Sequence, residues 1–430
     1  MLRFLQRHFP LPTKNERMTT AGDTPVSQDD LIARAWTRLR KGDFQGAREL
    51  STTLLAAGTN HSPAFFILGA VAFENDDLDG AVDYLERAIE ADPGAIECYE
   101  YFEMVLNAAN RTVNAQAVAE RARRARLFNA KFGTLPKGVQ HYQRMVDGLR
   151  ESSYMNFPRE VAIETMAVCN AACVFCPYPD MERKGDKMSD ALIDKILRDL
   201  EDIPPSLPFI ISPFKVNDPL LDVRLFDILE RCNERLPNAA LRLFTNGSPL
   251  TEKHLHRLRS IRGVEHLWIS LNHHVPERYQ EIMKLPWKRT IEKLELVHRM
   301  KAAAEFDLPV LVSRVCDGSA DDQAFVDFLR EKFPLFQAAL VPQSEWLGQV
   351  EGLLGSNKIQ PVGCGRWFEL SIAATGQVAF CCMDGRVEYP VGDTATTHVL
   401  DIYNSPGYRM YREKFATRLD GTPCRVCTNL

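Results

Sequence analysis

The chain has 430 residues, 45% hydrophobic and 25% charged, with a formal net charge of −5. These proportions fit a soluble globular protein and exclude a disordered or collagen-like chain. No run approaches the ~20 consecutive apolar residues of a membrane span. The N-terminal stretch lacks a secretory h-region, and the acidic balance argues against nucleic acid, so neither a membrane nor nucleic acid is expected as a partner.

Residues 1–26 show no periodicity and read as a flexible N-terminus. Residues 27–132 carry an internal repeat. Phe44-Gln45-Gly46-Ala47 returns 34 residues later as Leu78-Asp79-Gly80-Ala81, and Glu86-Arg87-Ala88 returns after another 34 as Glu120-Arg121-Ala122. That period in an alanine-rich helical segment resembles tetratricopeptide helix pairs. Arg121 to Arg126 form a basic run, read as a solvated helix face. Residues 133–157 read as a linker.

Across residues 158–345, β-branched runs alternate with amphipathic stretches. Strands are predicted at 161–168, 208–216, 240–247, 264–272, 309–316 and 336–343, with a helix after each but the last. This alternation predicts an α/β domain with a parallel sheet, curled by right-handed crossovers into a partial (β/α)6 barrel. The fold class is therefore a partial barrel preceded by an all-α helical-repeat domain. A small Cys-rich α+β domain follows at residues 346–430.

The eleven cysteines are unevenly placed. Cys98, Cys232 and Cys316 are isolated, and the first two sit in helical patterns as apolar packing. The other eight form two groups. Without a secretory signal, clustered cysteines read as metal ligands rather than disulfides. Cys169, Cys173 and Cys176 are spaced C-x₃-C-x₂-C just past the first predicted strand. Thiolates are the usual ligands of iron–sulfur clusters, and a [4Fe–4S] cluster takes four. Three from one loop leave an iron open, at the strand end where barrels place their active sites.

Cys169, Cys173, Phe175 and Cys176 match the C-x₃-C-x-aromatic-C motif, so the chain resembles the radical S-adenosylmethionine (SAM) enzymes. The resemblance implies a [4Fe–4S] cluster whose open iron binds SAM. Reductive cleavage then yields a 5′-deoxyadenosyl radical that abstracts hydrogen from substrate. It further implies a SAM shell of Phe175, Asp218 in Lys215-Val216-Asn217-Asp218-Pro219, Asn246 in Thr245-Asn246-Gly247, Ser270, Asn272 and Arg314. Here Asp218 stands where the family usually has Glu, and the family's paired glycines are absent.

The second group is Cys364, Cys381 with its neighbour Cys382, and the terminal Cys424 and Cys427. Spacing alone suits zinc or iron–sulfur. The pattern C-x₁₁-G-x₄-C, followed by a late C-x₂-C, resembles the SPASM/twitch subgroup of radical SAM enzymes. Because the chain stops at Leu430, the shorter twitch-like form is expected. The resemblance implies one auxiliary [4Fe–4S] cluster on Cys364, Cys381, Cys424 and Cys427, with Cys381 preferred over Cys382.

Cys316, Asp317 and Glu345 are candidate catalytic residues, and Arg366 is a candidate carboxylate anchor. The expected activity is that of a radical SAM oxidoreductase or maturase. Its substrate is expected to be a peptide, protein or carrier-bound group engaged through the helical repeats. A reducing partner such as flavodoxin or ferredoxin and a cytoplasmic location are also expected. The alternatives are a sugar or aminocyclitol dehydrogenase or epimerase of the same superfamily, and a non-catalytic zinc-stabilised repeat scaffold. The adjacent His273 and His274 are assigned no role.

Overall fold

The computed structural model describes residues 27–56, 61–350 and 360–427. The expected flexible N-terminus, 1–26, lies outside them. The chain divides into two units, Met1–Gln140 and His141–Leu430.

The first unit is helical: α1 (Gln28–Arg40), α2 (Phe44–Ala56), α3 (Ser62–Glu74), α4 (Leu78–Ala91), α5 (Ile96–Ala108) and α6 (Thr112–Phe132). The first helix of each pair begins at residue 28, 62 or 96, and the second at 44, 78 or 112, giving the 34-residue period. The local signals repeat with it. Asp43 Oδ1 accepts from Gly46 N and Asp77 Oδ1 from Gly80 N, both at 3.0 Å, capping α2 and α4. At the matching position Arg111 offers α6 no side-chain cap. Ala47, Ala81 and Ala115, 34 apart, are all buried, as small residues must be where helices cross closely. A Cβ on Gly69 would come within 2.8 Å of Leu85, so α3 and α4 approach as glycine alone permits. Acids meet the basic run, with Arg121 2.7 Å from Glu86 and Arg123 2.7 Å from Glu120.

The second unit begins within helix α7 (Lys137–Arg150). It continues as β1 (Glu160–Ile163), α8 (Asp190–Leu200), β2 (Phe209–Ser212), α9 (Leu225–Arg235), β3 (Ala239–Thr245), α10 (Glu252–Ser260) and β4 (Val264–Ser270). Next come α11 (Pro276–Met283), α12 (Trp287–Ala302), β5 (Val310–Cys316), α13 (Ala320–Lys332) and β6 (Gln337–Pro342). The C-terminal part holds β7 (Glu369–Ile372), β8 (Gln377–Ala379), β9 (Pro390–Asp393), α14 (Val399–Tyr403) and α15 (Pro406–Glu413). N-caps start several helices: Ser189 Oγ accepts from Leu192 N at 3.2 Å for α8, and Thr251 Oγ1 from His254 N at 3.3 Å for α10.

Among the described residues all nine strands share one sheet, ordered β6-β5-β4-β3-β2-β1-β7-β8-β9. Strands β1 to β6 are parallel neighbours in sequence order, the partial barrel that βα alternation predicts. The Cys-rich segment extends this sheet: β7 pairs parallel with β1, Glu160 opposite Glu369 and Ala162 opposite Ser371, and β8 and β9 follow antiparallel. Because side chains alternate along a strand, one face carries Val161, Ile163, Ile211, Leu243, Ile269 and Leu370 into the core. The other face carries Glu160, Ala162, Ser212, Phe244, Trp268 and Ser371 into an internal cavity. The strand predicted at 161–168 stops at Ile163. Glu164 is drawn into a buried ion pair with Arg183, and the chain leaves the sheet as a loop. Among the described residues no helix is long and apolar enough to cross a membrane.

Candidate active site

Residues 164–176 leave β1 as an irregular loop pinned from both sides: Ala167 N donates to Asp186 O at 2.8 Å and Val174 N to Ile282 O at 3.0 Å. Cys169, Cys173 and Cys176 lie on it. Burial pushes the Cys169 thiol up to about 11 and Cys176 to about 12. Cys173 is raised further, by burial and then by the neighbouring Cys176 and Cys169. Thiols that resist ionisation because they crowd together out of water become stable thiolates when a cation joins them. That donor set fits an iron–sulfur cluster. The backbone carbonyl of Phe175 accepts from Trp346 Nε1 at 2.9 Å.

The turns after β2 and β3 are fastened to this loop. Asp218 is 2% exposed. Its carboxylate accepts from Thr245 Oγ1 at 2.9 and 3.1 Å, Asn246 N at 2.8 Å and Leu220 N at 3.2 Å. Burial nevertheless holds it up at about 6, these hydrogen bonds acting in the opposite direction. Asn246 Nδ2 donates to Asn170 Oδ1 at 2.8 Å and lies 3.9 Å from Cys169 Sγ. Gly247, with φ +80°, follows Asn246, and a Cβ there would meet Ile269 at 2.9 Å.

Ser270 ends β4. Asn272 takes a left-handed conformation, φ +64°, while its Oδ1 accepts from Val315 N at 2.9 Å and its Nδ2 lies 3.1 Å from Met283 Sδ. Arg314 is 2% exposed, donates to Asn272 O at 2.8 Å, and pairs with Asp322 at 2.7 Å and Asp317 at 3.1 Å. Asp218, Asn272 and Arg314 thus spend much of their bonding capacity on their own chain, tying strand ends together.

The four cysteines Cys364, Cys381, Cys424 and Cys427 line one small apolar-walled pocket with Trp367 and Phe380. Trp367 Nε1 donates to Cys424 Sγ at 3.2 Å. The Cys381 thiol is raised well above its ordinary value by burial and then by Cys382, Cys364, Cys427 and Cys424. Four convergent soft donors with no open position fit a fully ligated cluster. The adjacent Cys382 turns instead into the internal cavity, where Arg366 Nη1 donates to its sulfur.

That cavity, about 430 Å³, is bounded by β1 to β4, β7 and the segment around Trp346. Its walls mix aromatic faces with Arg159, Glu160, Lys215, Arg242, Arg366 and Glu369. Arg159 pairs with Glu369, and Arg242 reaches Glu160 at 3.1 Å. Lys215 is 2% exposed, with its Nζ 2.9 Å from Ser371 Oγ. Burial lowers its affinity for a proton.

Cys316, Asp317 and Glu345 are not among the cavity's lining residues. Asp317 instead accepts from Ser319 N at 3.0 Å and Ser319 Oγ at 2.6 Å in the loop before α13. Glu345 lies half-buried before the turn Trp346–Gly348. Sequence reasoning gives Lys215 no role of its own and weighs Cys382 only as an alternative cluster ligand, missing that both line the cavity. Their signals were a charged residue inside the turn after β2 and a second thiol beside a ligand. His273, His274 and Asp321 come together, but His273 Nδ1 accepts from Val275 N at 3.0 Å while its Nε2 faces Asp321 Oδ2 at 3.2 Å. Both nitrogens of His273 are therefore occupied.

A parallel partial barrel with three thiols beyond its first strand, and four more around its seventh, Cys364 before it and Cys381, Cys424 and Cys427 after it, defines the protein as an enzyme of the radical SAM class. Residues 163–313 match the Radical SAM superfamily and residues 364–428 match the SPASM iron–sulfur cluster-binding domain. The chain carries both domains, and with them SAM, a [4Fe–4S] cluster and an auxiliary iron–sulfur cluster as cofactors. A comparison with curated proteins gives no match. Among solved structures, the chain is similar to SuiB of Streptococcus suis bound to precursor peptide SuiA. The identity is 15% and the TM-score 0.50, covering 78% of this chain and 86% of that one. It is also similar to BtrN in complex with AdoMet and 2-DOIA, at 18% identity and TM-score 0.45, covering 64% of this chain and 94% of that one.

Proposed function

We propose that Cys169, Cys173 and Cys176 hold the SAM-binding cluster, and that the internal cavity takes the substrate group from which hydrogen is removed. Cys364, Cys381, Cys424 and Cys427 hold the single auxiliary cluster of a twitch-like domain. When bound, the cluster and SAM supply the hydrogen-abstracting 5′-deoxyadenosyl radical. The chain positions the reaction: Asp218 and Asn246 brace the loop, and Arg314 locks the ends of β4 and β5. Aromatic walls keep water from the cavity. One observation carries the reading: Cys381 faces the four-thiol pocket while Cys382, one residue on, faces the cavity. Substrate and auxiliary site therefore share a wall, the arrangement an electron-accepting cluster requires.

The helical repeats favour a peptide, protein or carrier-bound substrate, since such arrays form extended binding surfaces. The cavity's size and buried polar groups also suit a small polar molecule, which keeps a sugar or aminocyclitol dehydrogenase or epimerase as a second reading. The reductant is a small electron carrier such as flavodoxin or ferredoxin in the cytoplasm. Anaerobic purification tests the proposal. The expected protein is brown, carries about eight iron atoms on two clusters, and forms 5′-deoxyadenosine when reduced with SAM. A colourless zinc protein that leaves SAM intact overturns it.

A further inference from the structure

The cavity's charges do not balance. Of its four cations, Arg159 is held by Glu369 and Arg242 by Glu160. Arg366 has only a 3.8 Å approach to Glu369, a carboxylate already engaged by Arg159. Lys215 has Ser371 Oγ as its hydrogen-bond partner, and among the described residues no carboxylate lies within ion-pair distance of it.

Burying cations without counter-charge is costly unless a ligand supplies it. Arg366 also lines the four-cysteine pocket, so part of its charge answers the thiolates there. Lys215 lines the cavity and not that pocket; buried Glu164 and Asp384 attract its charge from beyond ion-pair distance, and its ammonium has no direct carboxylate contact among the described residues. The pair is chemically suited to an oxyanion, with a guanidinium fork beside a compact ammonium.

We propose that the cavity binds a substrate bearing an anionic oxygen group, a carboxylate or a phosphate, seated between Lys215 and Arg366. This rests on the reading of the cavity as the substrate site, and it narrows the substrate class to anions.

Cys382 is a built-in reporter. The cluster-loaded protein, kept anaerobic, is alkylated with iodoacetate, an anion, or iodoacetamide, its neutral analogue. Modification at Cys382 is then followed by peptide mass spectrometry. The ratio of the two rates cancels the thiolate fraction and isolates the cavity's preference for charge. Relative to 2-mercaptoethanol in the same buffer, the ratio at Cys382 is expected to favour iodoacetate by roughly tenfold. Lys215→Gln and Arg366→Gln should each lower it several-fold, with cluster absorption reporting that the variants are intact. Inorganic phosphate and acetate should slow the reaction of the wild-type protein with iodoacetate, and the stronger competitor identifies the group. A ratio equal to that of mercaptoethanol, a ratio that survives either substitution, failure of both anions to compete, or a Cys382 unreactive to both reagents overturns the proposal. No turnover is measured, so absence of SAM cleavage would sink the proposed function while leaving this result standing.

Discussion

Glu164 and Arg183 form a bidentate ion pair at the exit of β1, Arg183 Nε to Glu164 Oε2 at 2.7 Å and Nη2 to Oε1 at 3.0 Å. Glu164 is fully buried, Arg183 is 8% exposed, and Glu164 Oε2 also accepts from Ala374 N at 3.1 Å. One carboxylate thus joins the start of the cysteine loop to the hairpin between β7 and β8.

Removing one partner of a buried pair strands the other, at a cost of about 3–5 kcal/mol. Glu164→Ala should therefore lower the melting temperature of the barrel by roughly 10 °C. Pairing Glu164→Leu with Arg183→Met should recover most of that loss, because an apolar replacement leaves no orphaned charge. Thermal melts of the two variants check both outcomes. A single variant that melts like wild type would mean the pair carries no such weight.

Asp218 gives a pH dependence with a definite sign. Its folded-state value, about 6, lies above the ordinary ~3.9 of an unfolded Asp. Between these values the folded state binds more protons than the unfolded one, so stability falls as pH rises. The contribution is fully present below pH ~4 and is lost through pH ~6, amounting to about 2–3 kcal/mol. Asp218→Asn lacks this titration. The difference in urea midpoint between wild type and Asp218→Asn should therefore shift in favour of the variant from pH 4 to 6 and stay flat above. A constant difference across that range would contradict burial as the dominant influence on this carboxyl.

Much of this architecture is legible in the sequence, and what is not has identifiable causes. The 34-residue helical period is written twice over, in alanines at crossings and in Asp caps three residues before glycines. The parallel strands follow from β-branched runs, and the seven cysteines from their spacing. The pairing of β7 with β1 is a long-range contact that no local pattern announces. The first strand was predicted too long because residues 164–168 look extended, whereas a buried charge at Glu164 turns them away. Cys316, Asp317 and Glu345 stand out in the sequence only for lying near predicted strand ends. Which side chains face the cavity depends on register and on the pleat of β7, so Lys215, Arg366 and Cys382 converge only in three dimensions.

Gly69 offers a test of the helical unit. A Cβ there would meet Leu85 Cγ at 2.8 Å and Cδ2 at 3.1 Å, at the crossing of α3 and α4. Gly69→Ala gains helix propensity of up to about 1 kcal/mol but overpacks the crossing at about 1–3 kcal/mol, so net destabilisation is expected. Amide hydrogen exchange should quicken in α3 and α4 of the full chain. Gly69→Val should quicken it further, having a larger, β-branched side chain. Slower exchange in Gly69→Ala would show that Leu85 has room to move aside.

Cys381 and Cys382 are adjacent, yet they face different sites, and substitution should separate them. Cys381 lies in the four-thiol pocket, its thiol raised by burial and then by Cys382, Cys364, Cys427 and Cys424. Cys381→Ala removes one of four ligands and should cut iron from about eight to about four per chain, leaving the SAM-cleaving cluster in place. Uncoupled 5′-deoxyadenosine formation should persist in this variant. Cys382→Ala should keep the full iron complement, because its sulfur points into the cavity toward Arg366. Iron analysis and electron paramagnetic resonance of the reduced proteins read both outcomes. If instead Cys382→Ala loses the auxiliary signal and Cys381→Ala keeps it, the two thiols have exchanged roles, and the wall between cavity and cluster lies one residue from where the fold now puts it.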